Sequence, residues 1–150
     1  MISVVQRVRS AAVEVDGDRV GAIECGLLAL VCALRGDGVE DVEYTARRLL
    51  TLRIFPDDEG RMNRSVQEVG GSLLIVSQFT LAGDTRKGRR PSYTDAAAPA
   101  HAEPLYERFA SRLAARGLTV ARGVFGAMMD VELVNDGPVT ILLEPPQGTR

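Results

Sequence analysis

From Ile2 to Glu24 the chain alternates apolar and polar residues, with Val4, Val8, Val13, Val15, Val20 and Ile23 as apolar positions of two strands. Asp16-Gly17-Asp18 has the composition of a hairpin turn between them. The next run, GLLALVCAL at 26–34, is apolar on both faces, which predicts a central strand covered on each side.

The period then changes. Between Val39 and Arg53, Val42, Ala46, Leu49 and Leu50 fall on one helical face, with Asp37 positioned to cap the start and Glu40 where a capping box needs a carboxylate. Pro56 and the DDEG that follows end this element. A second helix is predicted from about Pro99 to Arg116, carrying Leu105, Phe109 and Leu113 at spacing four and Gly117 as its C-terminal cap. The last third, LTVARGVFG, MMDVELVND and GPVTILLE, returns to strand patterning, and NDGP at 135–138 reads as a turn between two strands. Strands at both ends with two helices between predict an α+β fold of mainly antiparallel sheet covered by helices. The chain reads as a single domain over 1–150, with a frayed tail from about 145 to 150.

Composition narrows the classes. Hydrophobic residues make up 45% and charged residues 25% of the 150, and no apolar stretch reaches the roughly 18 residues of a membrane helix. The start has arginines inside the alternation rather than ahead of an apolar block, unlike a signal peptide, so the cytoplasm is the expected location and no membrane partner is expected. Cys25 and Cys32 form no CxxC pair and are expected as small buried hydrophobes, with no metal site and no cofactor. A net charge of -2 argues against binding nucleic acid through bulk positive charge but leaves a local patch open.

Familiar catalytic motifs are absent: there is no GxSxG, Walker loop, HExxH or GxGxxG. The single histidine, His101, sits at the start of the second helix and is expected to face solvent. What remains is SLLIVSQFTLAGD, residues 72–84, where four apolar residues run into Ser77, Gln78, Phe79 and Thr80. If the strand ends at Ser77, the N–H groups of Gln78, Phe79 and Thr80 lose their ladder partners and can converge on one anion as an oxyanion hole, with the Thr80 hydroxyl a further donor or a weak nucleophile. The alternative is that Ser77 and Thr80 merely satisfy a strand end. Two other segments stand out: NDGPVT, whose Gly137-Pro138 bond is a cis candidate, and RKGRRPSY, whose Arg86, Lys87, Arg89 and Arg90 either hold phosphates or form a solvated loop.

Together, QRV at 6–8, VDG at 15–17, GRMN at 60–63, SQFTL at 77–81 and VNDGPVT at 134–140, in this order over nearly the whole chain, resemble the D-aminoacyl-tRNA deacylase family. The resemblance implies a barrel-like core and a homodimer that hydrolyses the ester between a D-amino acid and the terminal adenosine of tRNA. It implies a cis Gly137-Pro138 dipeptide inserted into the partner's pocket and braced by Arg7, with Phe125 and Met129 lining the adenosine site. Met128 stands where some relatives carry a polar residue. Ser77, Gln78, Phe79 and Thr80 would form the catalytic segment, assisted by the ribose 2'-hydroxyl, and glycyl-tRNA, including glycine mischarged on tRNA(Ala), would be a further substrate. Two other readings stay open: a non-catalytic RNA-binding module, and a related deacylase with a trans Gly-Pro that acts on misacylated L-aminoacyl-tRNA.

Overall fold

The computed structural model describes residues 1–145, so all but the first residue of the expected frayed tail lies outside the described residues. Strand β1 (Ile2–Val15) turns through Asp16 and Gly17, both at positive φ, into β2 (Asp18–Ile23), and β3 (Gly26–Cys32) follows. Helix α1 (Val39–Thr51) leads to a small hairpin, β4 (Phe55–Pro56) and β5 (Met62–Arg64). Then come β6 (Ser72–Ser77), a 3-10 turn (Phe79–Ala82), helix α2 (Pro99–Ala114), β7 (Val120–Arg122) and β8 (Asp130–Leu143).

The main sheet is mixed. Strand β1 pairs antiparallel with β2, β3 and β8, whereas β3 with β6 and β6 with β7 are parallel. The sheet curls until β2 approaches β7: a Cβ on Gly21 would stand 2.6 Å from the Arg122 carbonyl oxygen, so only glycine lets the two edges come this near. The result is an α+β fold with a nearly closed, barrel-like sheet and two helices.

Both faces of the central strands are buried, as GLLALVCAL predicts. Leu27, Ala29 and Val31 of β3 and Leu73 and Ile75 of β6 join Val42, Ala46, Leu49, Leu105, Phe109 and Leu113 of the helices in one core. Leu28, Leu74 and Val76 face the other way, packing with Val8, Val13 and Ile23 inside the curl. The tip of β6 is therefore held from both sides, which gives the segment beyond it a rigid base.

Several expectations need correction. Asp37 does not cap α1: its carboxylate accepts the Leu34 N–H at 2.6 Å and pairs with the Met1 amino group, while Asp41 rather than Glu40 accepts the Gly38 N–H at 2.8 Å. Asp37 is drawn into the core by a cation that no local spacing reveals. Cys32 is buried, but Cys25 is exposed in the β2–β3 turn. NDGP does not separate two strands. Strand β8 runs through it, and between Gln6↔Thr140 and Val8↔Asn135 one residue of β1 faces four of β8, so 136–139 are pushed out of the ladder.

Candidate active site

Ser77 closes β6, paired beside Val31, and the Gln78 N–H still finds the Val31 carbonyl at 2.8 Å before the chain turns out of the sheet. The expected trio of open donors is thus a pair. Leu81 and Gly83 return their N–H groups to Gln78 and Thr80 carbonyls, while the Phe79 and Thr80 N–H groups make no hydrogen bond among the described residues. Two adjacent N–H groups at an exposed turn have the composition of a small anion site. Gln78 Nε2 donates to Thr80 Oγ1 at 2.5 Å, which occupies a lone pair of that hydroxyl and leaves its proton free to be donated outward.

No imidazole stands nearby to activate Thr80. His101 is exposed, as expected, and its Nε2 pairs with the Asp37 carbonyl at 2.7 Å. Tyr106, on α2, donates to the Ile75 carbonyl at 3.0 Å, and burial, aided by the charge of Glu107, pushes its pKa up to about 12. It is a fixed neutral donor under the tip of β6. Among the described residues no group of three His, Cys, Asp or Glu side chains is arranged to hold a metal ion.

Phe125 lies over Tyr106, ring centroids 5.8 Å apart, and is half-buried. Met129 packs toward Gly123, and Gly123 N–H bonds the Ile75 carbonyl at 2.9 Å, so Phe125 and Met129 flank β6 on the β7 side. Met128 is 91% exposed.

Gly137 and Pro138, joined by a cis bond, form the exposed tip of the extruded segment. Asn135 closes its base: Oδ1 accepts the Val139 N–H at 2.7 Å and Nδ2 donates to the Val139 carbonyl at 3.1 Å. Arg7, the β1 residue opposite, donates from Nε to the Asp136 carbonyl at 2.9 Å and from its other arm to the Ile54 carbonyl. Asn135 lies in VNDGPVT with no role assigned from sequence; a side-chain amide just ahead of Gly-Pro, a residue type that bonds nearby backbone, is the available signal.

Within the chain this tip stays apart from the β6 turn. Arg7 pairs with Leu27 and Leu27 with Leu73, at the start of β6, while the turn lies beyond Ser77 at its end. Four strand residues span roughly 13 Å.

In the basic loop, Arg86 is committed to Asp84, through Nε to Oδ1 at 2.9 Å and NH2 to Oδ2 at 2.8 Å. The Arg86 hydrogen bonds lower the Asp84 pKa to about 2. Arg86 thus enters the loop as one half of an exposed ion pair, its charge offset locally by Asp84. Lys87, Arg89 and Arg90 are exposed and form no ion pair among the described residues.

Residues 4–144 match the family model described as D-Tyr-tRNA(Tyr) deacylase. A D-aminoacyl-tRNA deacylase of Halalkalibacterium halodurans is 56% identical over 141 residues, covering 94% of this chain and 97% of the relative. One from Thermus aquaticus is 52% identical over 144 residues, covering 96% and 95%. A solved structure described as c-Myc DNA Unwinding Element Binding Protein superposes with a TM-score of 0.92 at 39% identity, covering 97% of this chain and 99% of that one. A probable eukaryotic D-amino acid tRNA deacylase at 21% identity shares the fold, with a TM-score of 0.81, over 95% and 97% of the two chains.

Proposed function

The chain belongs to the D-Tyr-tRNA(Tyr) deacylase family, and from that premise we propose that it hydrolyses the ester of D-aminoacyl-tRNA, releasing the free D-amino acid and tRNA in the cytoplasm. The observation that carries the reading is the pair of open N–H groups at Phe79 and Thr80 beside a hydroxyl held as a donor by Gln78. Water attacks the ester carbonyl, the two N–H groups hold the developing oxyanion, and the bond to the ribose oxygen breaks as that oxygen regains a proton. An aminoacyl ester is already activated, and one oxyanion donor contributes roughly 10²- to 10³-fold in rate. The neighbouring ribose 2'-hydroxyl positions the water, so no imidazole is required. Thr80 positions the carbonyl and does not attack it.

Chirality follows from a wall. Two copies of the chain pair along β8, whose exposed Leu133, Val134 and Leu142 supply apolar surface, and each sends Gly137-Pro138 into the other's pocket. The separation of tip and turn within one protomer supports this exchange. With carbonyl and amino group fixed, a D side chain points to the open mouth and an L side chain meets Gly137-Pro138. Glycine has no side chain to reject, so glycyl-tRNA is also cleaved. Phe125 and Met129 bound the terminal adenosine, and Lys87, Arg89 and Arg90 meet phosphates.

The test is loss of ester from D-tyrosyl-tRNA incubated with the purified protein and no added metal. Release of D-tyrosine supports the reading. Retention of the ester, with tRNA bound in a strongly salt-dependent way, would make the protein an RNA-binding module instead.

A further inference from the structure

The loop after the β6 turn folds back on itself. Asp84 and Ser92 exchange backbone hydrogen bonds at 2.8 and 2.9 Å, and this closure delivers Tyr93 to the turn it left. Tyr93 meets Phe79 edge-on, ring centroids 5.2 Å apart and planes at 73°. Gly83 makes room: a Cβ there would stand 3.1 Å from Tyr93 Cε1 and 3.0 Å from the Thr80 carbonyl oxygen. The rings remain open to solvent, Phe79 59% and Tyr93 39% exposed. Leaving such surface wet forgoes the favourable burial of apolar ring area. The fold spends a loop closure and a glycine to hold the pair there.

The loop closed by Asp84 and Ser92 also carries Lys87, Arg89 and Arg90, without carboxylate partners among the described residues, in a chain whose net charge is -2. Exposed aromatics next to a local cluster of cations have the composition of a surface for single-stranded nucleic acid, where bases stack and phosphates pair. The surface is continuous with the open N–H groups, since Phe79 belongs to both. Whatever is esterified at the turn must carry its next nucleotide past its rim.

We infer that the Tyr93–Phe79 pair is a stacking platform for the base of the nucleotide immediately before the esterified terminal adenosine, with Lys87, Arg89 and Arg90 along the adjoining phosphates. The inference rests on the deacylase reading and adds a second nucleotide subsite to it.

The experiment compares D-tyrosyl esters of adenosine and of cytidylyl-adenosine, reading the gain in kcat/KM that the second nucleotide brings. The wild-type protein should gain roughly 5- to 160-fold, the range of one base–aromatic stack. Tyr93→Ala should remove most of that gain, Tyr93→Phe should keep it, and a dinucleotide ester abasic at the first position should lose it with the wild-type protein. An unchanged gain in Tyr93→Ala, or an abasic ester that reacts as well as the intact one, overturns the platform. So does a loss that tracks the amino acid, larger for tyrosyl than for glycyl esters, because the ring would then touch the side chain. So does a loss accompanied by a change of oligomeric state, because the rings would then be an interface. If the wild-type protein cleaves neither these esters nor D-tyrosyl-tRNA, the deacylase reading itself fails and the platform with it; cleavage without a dinucleotide gain defeats the platform alone.

Discussion

Arg7 donates from Nε to the carbonyl of Asp136 at 2.9 Å, while its other arm holds the carbonyl of Ile54. One guanidinium thus ties the base of the Gly137-Pro138 segment to the chain beyond α1. A lysine has a single ammonium and cannot span both carbonyls. Arg7→Lys is expected to lower deacylation of D-tyrosyl-tRNA at least 10-fold with modest loss of stability. Arg7→Ala should in addition destabilise the fold by roughly 1–3 kcal/mol, the cost of unsatisfied buried acceptors. Urea unfolding beside the activity assay separates the two effects.

Gly137 sits at φ +150, and a Cβ there would meet Val139 N at 2.8 Å and Arg7 NH2 at 3.4 Å. Gly137→Ala should therefore displace the wall, depressing hydrolysis of D-tyrosyl- and glycyl-tRNA alike without creating activity on L-tyrosyl-tRNA. Gain of L activity would show that the dipeptide filters by size alone.

Thr80 Oγ1 accepts from Gln78 Nε2 at 2.5 Å, a geometry for a positioned donor. Thr80→Ala should lower kcat by no more than roughly 10²- to 10³-fold, the value of one oxyanion donor, because both backbone donors remain. Complete loss with fold and tRNA binding intact would return Thr80 to the role of nucleophile.

Tyr106 supplies the pH dependence. Burial first, then the charge of Glu107, raise its pKa to about 12. A group whose pKa is raised on folding stabilises fully below its unfolded value, near 10, and that contribution is lost as pH climbs to 12. The urea midpoint should fall across that window, and Tyr106→Phe should remove this part of the fall. Asp84 moves the other way: its lowered pKa confers stability above its ordinary value that is lost as pH drops toward 2.

Legibility followed the range of the interactions. The β1–β2 hairpin, the doubly covered β3 and the apolar stripes of both helices were readable because each is written in neighbouring residues. The β4–β5 hairpin, two and three residues long, carries no period to detect. Strand β8 reads as two in the sequence because Gly-Pro normally ends a strand, whereas pairing with β1 on both sides of the bulge keeps one element intact. At the site, the polar end of β6 was legible, but the Val31 carbonyl that takes the Gln78 N–H belongs to a parallel neighbour 47 residues away and is not. Tyr93 had no signal of its own; only the Asp84–Ser92 closure brings it to Phe79.

Exclusion of L esters by the Gly137-Pro138 wall is tested by a paired time course. D-tyrosyl-tRNA and L-tyrosyl-tRNA, matched in concentration, are incubated with the wild-type protein and the remaining ester is measured. A steric wall gives rapid loss of the D ester while the L ester decays at its spontaneous rate. Equal loss of both, or faster loss of the L ester, would contradict it.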